Sequence, residues 1–192
     1  MKYFLLETVG DVKNENYCFT DNAPRPIGAY ALKTGGLVSA RYPDGPGDVT
    51  WQLGEDYPGL QLTSFIGNTD SLLIVTREIA SLVESMQPGT MEVVPFTLLN
   101  QKGRAYSKDY VLLNPIGTYD CVDLDKSECD RYSDGSLMNI TKFVLAAKKL
   151  AGAPHLFRPV EAHQEYIFSE ELVNTLRARN CTNFLFEELA QS

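Results

Sequence analysis

The sequence lacks any close pair of cysteines: Cys18, Cys121, Cys129 and Cys181 are scattered, with no CxxC among them. Zinc ribbons and dithiol redox sites place two thiols within about one turn of chain, so neither is expected, and free, partly buried thiols are. Histidine is nearly absent. The only two, His155 and His163, are too loosely spaced for a helical ligand pair, and structural or surface roles suit them better. No apolar run approaches the ~18 residues that a bilayer crossing needs. After Lys2 the run Tyr3-Phe4-Leu5-Leu6 stops at Glu7, too short for a secretory segment and followed by no small-residue cleavage pattern, so a cytoplasmic chain is expected. Lys and Arg are nowhere concentrated as a phosphate-tracking groove requires, which argues against nucleic acid and anionic membrane as partners. Phosphate loops are missing too: Gly45-x-Gly47 has no helix signal after it, and Gly35-Gly36 has no following Lys-Ser/Thr. Neither a nucleophile elbow nor a triad order is present. Neither cofactor nor metal is expected.

What the chain does have is a globular composition, with 44% hydrophobic and 22% charged residues in 192. That length buries roughly 70% of the unfolded surface, enough for one domain, 1–192, or for two fused halves of about 1–100 and 101–192. The formal net charge is −8, with 12 acidic against 6 basic residues in 1–100 and 13 against 11 in 101–192. Such a field keeps a protein soluble, and it also speeds encounter with a basic protein surface.

Lys2–Thr8 reads as an opening strand. Residues 10–36 are irregular, and Leu37–Arg41 suits a short strand. Pro43-Asp44-Gly45-Pro46-Gly47-Asp48 and Tyr57-Pro58-Gly59 carry strong turn chemistry around Trp51, the single tryptophan. Ser71–Val75 reads as a strand. Thr76 then caps a helix with Glu78 in its first turn and Ile79, Leu82, Val83 and Met86 as its apolar stripe. Pro88-Gly89 ends that helix, and Met91–Phe96 is a strand. The same order returns with Tyr166-Ile167-Phe168, Ser169 as cap, Glu170 and Glu171 in the first turn, and Leu172, Val173 and Leu176 as the stripe. Asn180–Asn183 breaks this helix before a strand at Phe184–Leu189. Thr76 and Ser169 stand 93 positions apart, as do Glu78 and Glu171. Strands are also expected at Asp109–Asn114, Tyr119–Leu124, Thr141–Ala146 and His155–Val160, with a short helical turn at Ala147–Ala151. Many short strands with a few helices predict an α+β fold with a mixed or largely antiparallel sheet, helices on one side and two similar strand–helix–strand units.

The densest charge lies at Asp120–Ser136, where Asp120, Asp123, Asp125, Glu128, Asp130 and Asp134 stand against Lys126 and Arg131. Asp123, Asp125 and Ser127 imitate the opening of a calcium loop, but Glu128 stands where a glycine is needed and Asp134 where a bidentate glutamate is. A solvated loop and a partner-facing acidic patch both fit. Asp44 and Asp48 belong to a second acidic stretch, beside Tyr42, Trp51 and Tyr57, which are core residues or interface anchors. A hydrolase pairing Asp123 and Asp125 with His155 stays open as an alternative, as do a small-molecule sensor and a self-associating scaffold or homodimer.

The succession Ile74-Val75-Thr76-Arg77-Glu78, Tyr110-Val-Leu-Leu-Asn114-Pro115, Val122-Asp123-Leu124-Asp125-Lys126-Ser127, Leu156-Phe157-Arg158-Pro159, Tyr166-Ile-Phe-Ser169-Glu170-Glu171-Leu172 and Phe186-Glu187-Glu188-Leu189 resembles the immunity-protein family numbered eleven in bacterial polymorphic-toxin systems. It spans roughly residues 60–190, with little beyond the opening strand before that. Thr182-Asn183 departs from the family, which often has a glycine turn before the last strand. The resemblance implies a non-catalytic antitoxin that binds and occludes a cognate toxin. Asp44, Asp48, Trp51, Asp120, Asp123, Asp125, Glu128, Asp130 and Asp134 are the candidate contact residues.

Overall fold

Thr76 and Ser169 set the pattern of the fold. In the computed structural model, which describes residues 1–7, 14–87 and 90–192, the Thr76 hydroxyl accepts from the Ile79 amide and that of Ser169 from Leu172. Each thereby satisfies one of the N–H groups that a helix start leaves without a partner. Ile79, Ala80, Leu82 and Val83 bury one face of the first helix, and Leu172, Val173 and Leu176 one face of the second.

The first part of the chain supplies β1 (Tyr3–Glu7), β2 (Phe19–Thr20), α1 (Tyr30–Lys33), α2 (Val38–Arg41), β3 (Thr50–Gln52), β4 (Phe65–Asn68), β5 (Ile74–Thr76), α3 (Arg77–Met86), β6 (Met91–Pro95) and β7 (Thr97–Leu99). Next come β8 (Ala105–Ser107), β9 (Tyr110–Pro115), β10 (Glu128–Arg131), β11 (Leu137–Lys142) and β12 (Val144–Leu145). The chain closes with β13 (Leu156–Phe157), β14 (Ile167–Ser169), α4 (Glu170–Ala178), β15 (Leu185–Glu188) and β16 (Ala190–Gln191). The architecture is α+β with mostly antiparallel pairing; β2 with β4, β3 with β7, and β12 with β16 run parallel.

The two units share more than their order. Each capped helix follows an antiparallel hairpin, β4–β5 or β13–β14, and precedes a strand, β6 or β15. In each sheet a strand from elsewhere lies between the hairpin and that following strand, antiparallel to both. It is β9 in the order β2-β4-β5-β9-β6 and β1 in the order β13-β14-β1-β15. The registers agree: the capping Thr76 faces Tyr110, and the capping Ser169 faces Tyr3. The first helical amides agree as well, Arg77 donating to the Asp109 carbonyl and Glu170 to that of Lys2, both at 2.9 Å. Beyond β6 and β15, the chain repeats a buried residue (Phe96, Leu189) and then a strand in parallel pairing. So β1 completes the sheet of the later unit and β9 that of the earlier one: the two exchange their central strands.

Alternation along these strands feeds three apolar clusters. Phe4 and Leu6 of β1, Val111 and Leu113 of β9, and the buried faces of α3 and α4 share one. Tyr110 and Leu112 turn to a second, with Trp51, Leu53, Phe96 and Leu98. Tyr3 turns to a third, with Cys121, Val122, Ile140, Phe143 and Leu189. Both central strands are thus covered on both faces, which explains their near-continuous apolar runs.

Several elements differ from the sequence-based expectation. Leu37–Arg41 holds the helix α2 and not a strand, because the Glu92 carboxylate accepts from the Val38 and Ser39 amides at 2.8 and 3.0 Å and anchors a helical start. The strand expected from Ser71 begins only at Ile74. Asn68 causes this: its side chain accepts from the Asp70 and Leu72 amides and donates to the Leu72 carbonyl, tying a turn in which Ser71 takes a φ of 52°. Tyr119–Leu124 forms only bridges, Tyr119 with Pro159 and Val122 with Leu145. The strand expected at His155–Val160 shrinks to β13, since Pro159 has no amide to donate and Val160–Ala162 forms a 3₁₀ turn. Thr8 and Pro88-Gly89 lie outside the described residues.

Candidate protein-binding surface

The acidic stretch read as a loop is largely a hairpin. Asp134-Gly135 makes its turn, with Gly135 at a φ of 85° and the Asp134 carboxylate accepting from the Ser136 amide and hydroxyl at 2.9 and 2.6 Å. β10 and β11 pair antiparallel, with irregularities after Glu128 and after Asp130. Cys129, Leu137 and Ile140 seat the ribbon on the third apolar cluster. Its other side faces solvent, and Tyr132 and Met138 are 54% and 52% exposed.

The carboxylates of this region differ in what holds them. Asp120 pairs with Lys149 at 2.6 Å and Glu128 with Lys142 at 3.1 Å, both in solvent. The hydrogen bond to Asp120 holds the Lys149 ammonium above its ordinary pKa. Asp123 accepts from the Ser192 hydroxyl at 2.7 Å and from the Asp125 amide at 3.2 Å. The Ser192 bond, aided by those amides, keeps its carboxyl below the usual range, and the Ser136 hydroxyl does the same for Asp134. Both oxygens of Asp123 are therefore engaged, one by the Asp125 amide of its own turn and one by Ser192, so its likeness to a calcium loop is a likeness of spacing. Asp125 and Asp130 are exposed and, among the described residues, have no cationic partner.

Asp44 and Asp48 are exposed on the turn into β3, over the second apolar cluster, whereas Asp120–Asp134 belong to the segment over the third. The acidic candidates thus belong to two segments that pack over different apolar clusters. Trp51 is corrected as a surface anchor: it is 1% exposed, packs on Phe96 and donates its indole N–H to the Asn22 carbonyl. A wide, half-apolar ring completes the second cluster better than it serves solvent. Tyr57 of the same stretch is partly exposed and stacks on Phe19 at 4.3 Å.

The residues of the hydrolase alternative are engaged separately. His155 Nδ1 lies 2.8 Å from the Ser169 hydroxyl, the helix cap, while Asp123 is held by Ser192. Among the described residues no three His, Cys, Asp or Glu side chains are grouped as a metal needs. All four thiols are free. Burial pushes Cys18 up to about 11 and Cys121 to about 12, so both are protonated near neutrality and poor nucleophiles.

Among the described residues, the one buried guanidinium is structural. Arg158, 1% exposed, donates to the carbonyls of Leu32, Lys33, Pro115 and His163 and to the Tyr166 hydroxyl, with its carbon 4.3 Å from the Tyr166 ring centre. Asn114 links it to Glu92. Burial pushes the Glu92 carboxyl up, and the Ser39 and Val38 amides with the Asn114 side chain more than offset this. Sequence reasoning missed this node and the exposed pair Tyr132 and Met138. An Asp-Gly turn between two alternating segments was the available signal for the ribbon that carries them.

Asn183, where a glycine turn was expected, takes a φ of 61°, and Asn180 one of 55°. Asparagine tolerates this left-handed region better than other side-chain-bearing residues, so the departure preserves the turn. No helix among the described residues is long and apolar enough to cross a membrane. No curated protein matches the chain. Residues 8–191 match the sequence pattern described as "Immunity protein family (Imm11)", extending the likeness into the first 60 residues, and the chain belongs to that family.

Proposed function

We propose that this chain is the immunity protein of a bacterial toxin system, acting in the cytoplasm by binding and occluding its cognate toxin without catalysis. The family match over residues 8–191 carries this reading. The engagement of Asp123 and His155 in separate local contacts supports it over a hydrolase. The contact surface is acidic and the partner surface basic, with Asp44 and Asp48 in one segment and Asp120, Asp123, Asp125, Glu128, Asp130 and Asp134 in the other. The two halves, about 1–100 and 101–192, act as one body because each holds the other's central strand.

The test is co-purification with the toxin domain encoded beside this chain's gene, together with rescue of cells that express that domain. A stable complex and restored growth are expected. Failure of both with folded protein overturns the reading.

A further inference from the structure

Outside the exchanged scaffold, the two units are elaborated differently. Between its central strand and its hairpin, the later unit carries the β10–β11 ribbon, where the described residues of the earlier unit hold α1 and α2 instead. The ribbon adds little to the core: of its two strands only Ile140 is fully buried, with Cys129 and Leu137 partly so. Its outward side carries Tyr132 and Met138 more than half exposed. Solvent gives no reason to hold two large apolar side chains on a fixed ribbon, whereas tyrosine and methionine are enriched at protein interfaces.

We propose that the β10–β11 ribbon is the docking arm of the toxin contact, with Tyr132 and Met138 as apolar anchors and Asp125 and Asp130 drawing a basic protein surface onto them. This rests on the toxin-binding reading above. Charge selects the partner: Asp120 and Glu128 are neutralised by Lys149 and Lys142, and the Arg131 guanidinium donates to the Gly135 carbonyl of its own turn. Among the described residues, Asp130 keeps an unpaired carboxylate two residues before Tyr132, and Asp125 keeps one in the turn that leads into β10; a cationic surface supplies what the chain does not. The register leaves two residues of β11 without a partner across the ladder, Thr141 opposite the Glu128–Cys129 step and Met138 opposite the Asp130–Arg131 step, so Met138 is presented as a side chain on an irregular strand. Seating on the third cluster fixes the ribbon before binding and lowers the ordering cost.

The test uses the full chain and the toxin domain encoded beside its gene, with affinity read by calorimetry and association rate by stopped-flow mixing at several salt concentrations. Tyr132→Ala with Met138→Ala is expected to weaken binding about tenfold or more. Asp130→Lys is expected to slow association and flatten its salt dependence, while Glu84→Lys, the same charge change on the exposed side of α3, leaves affinity within about twofold. All variants keep the parent's melting temperature, since each changed side chain is exposed. If the parent binds and the Tyr132/Met138 variant binds equally well, the arm is overturned and the function stands. If the folded parent does not bind, both fall.

Discussion

Gln87 and Asn183 serve opposite halves of the molecule in the same way. Gln87 accepts from the Leu156 amide at 2.6 Å and donates to the Leu156 carbonyl at 2.9 Å. Asn183 donates to the Phe65 carbonyl at 2.8 Å, and the adjacent Thr182 carbonyl accepts from the Phe65 amide at 3.2 Å. Leu156 and Phe65 hold the same place in their hairpins, facing Phe168 and Val75. The segment after each helix therefore satisfies the backbone of the other unit's hairpin.

Gln87→Ala is expected to lower stability by about 1–3 kcal/mol, because it strips partners from the buried Leu156 backbone. Asn183→Gly keeps the left-handed turn and removes part-buried side-chain bonds, those to the Phe65 carbonyl and the Thr63 hydroxyl among them, so its cost is smaller. Urea unfolding of the two variants and their double measures both, and near-additive losses are expected for sites without shared partners.

Arg158→Met removes the donor to Leu32, Lys33, Pro115 and His163 while keeping much of the side-chain volume. A loss of about 3–5 kcal/mol is expected, as for breaking a buried charged network. Thermal unfolding reads it directly. An unchanged melting temperature would show that water replaces the guanidinium at no cost.

Alkaline stability follows from the thiols. In the folded chain burial pushes the Cys18 thiol up to about 11 and the Cys121 thiol up to about 12, well above an ordinary thiol. The folded state thus binds protons that the unfolded state releases, so this contribution is intact below about pH 9 and is lost as pH rises through the folded values. Urea midpoints measured from pH 8 to 11 should fall, and Cys18→Ala with Cys121→Ala should flatten that fall. At pH 8 iodoacetamide should modify neither thiol until denaturant is added.

The turn at Lys102-Gly103 links β7 to β8, and Gly103 has a φ of 70° there. A protease site inserted at this turn in the full chain should be cut without dissociation, because β1 and β9 each sit inside the other half's sheet. Size-exclusion chromatography after cleavage should give one peak containing both fragments. Two separate peaks would overturn the interlock.

Much of this was legible in the residues. Thr76 and Ser169 announced their helices because capping is local chemistry, decided within three residues. Tyr110–Pro115 and Tyr3–Glu7 announced strands because continuous apolar runs leave few alternatives. The partners of those strands were not legible, since β1 and β9 are equally apolar and nothing in either says which hairpin receives it. Leu37–Arg41 misled because the group that makes it helical, Glu92, lies far along the chain. Trp51 and Arg158 show the same limit: the depth of a side chain depends on segments distant in sequence. The segment carrying Asp44 and the segment carrying Asp130 became distinguishable only once each lay over its own apolar cluster.

The crossed placement of β1 and β9 also governs how the chain comes into being. β1 is made before its neighbours β14 and β15, with every other element of the earlier unit between them, so the strand must wait for its sheet. The earlier hairpin and α3 likewise stay open until β9 emerges. The earlier sheet can close once β9 is made, whereas a chain cut short between β9 and β13 keeps β1 as an orphan strand. A partial product that stops before β14 and β15 would then expose β1 and be a substrate for proteolysis.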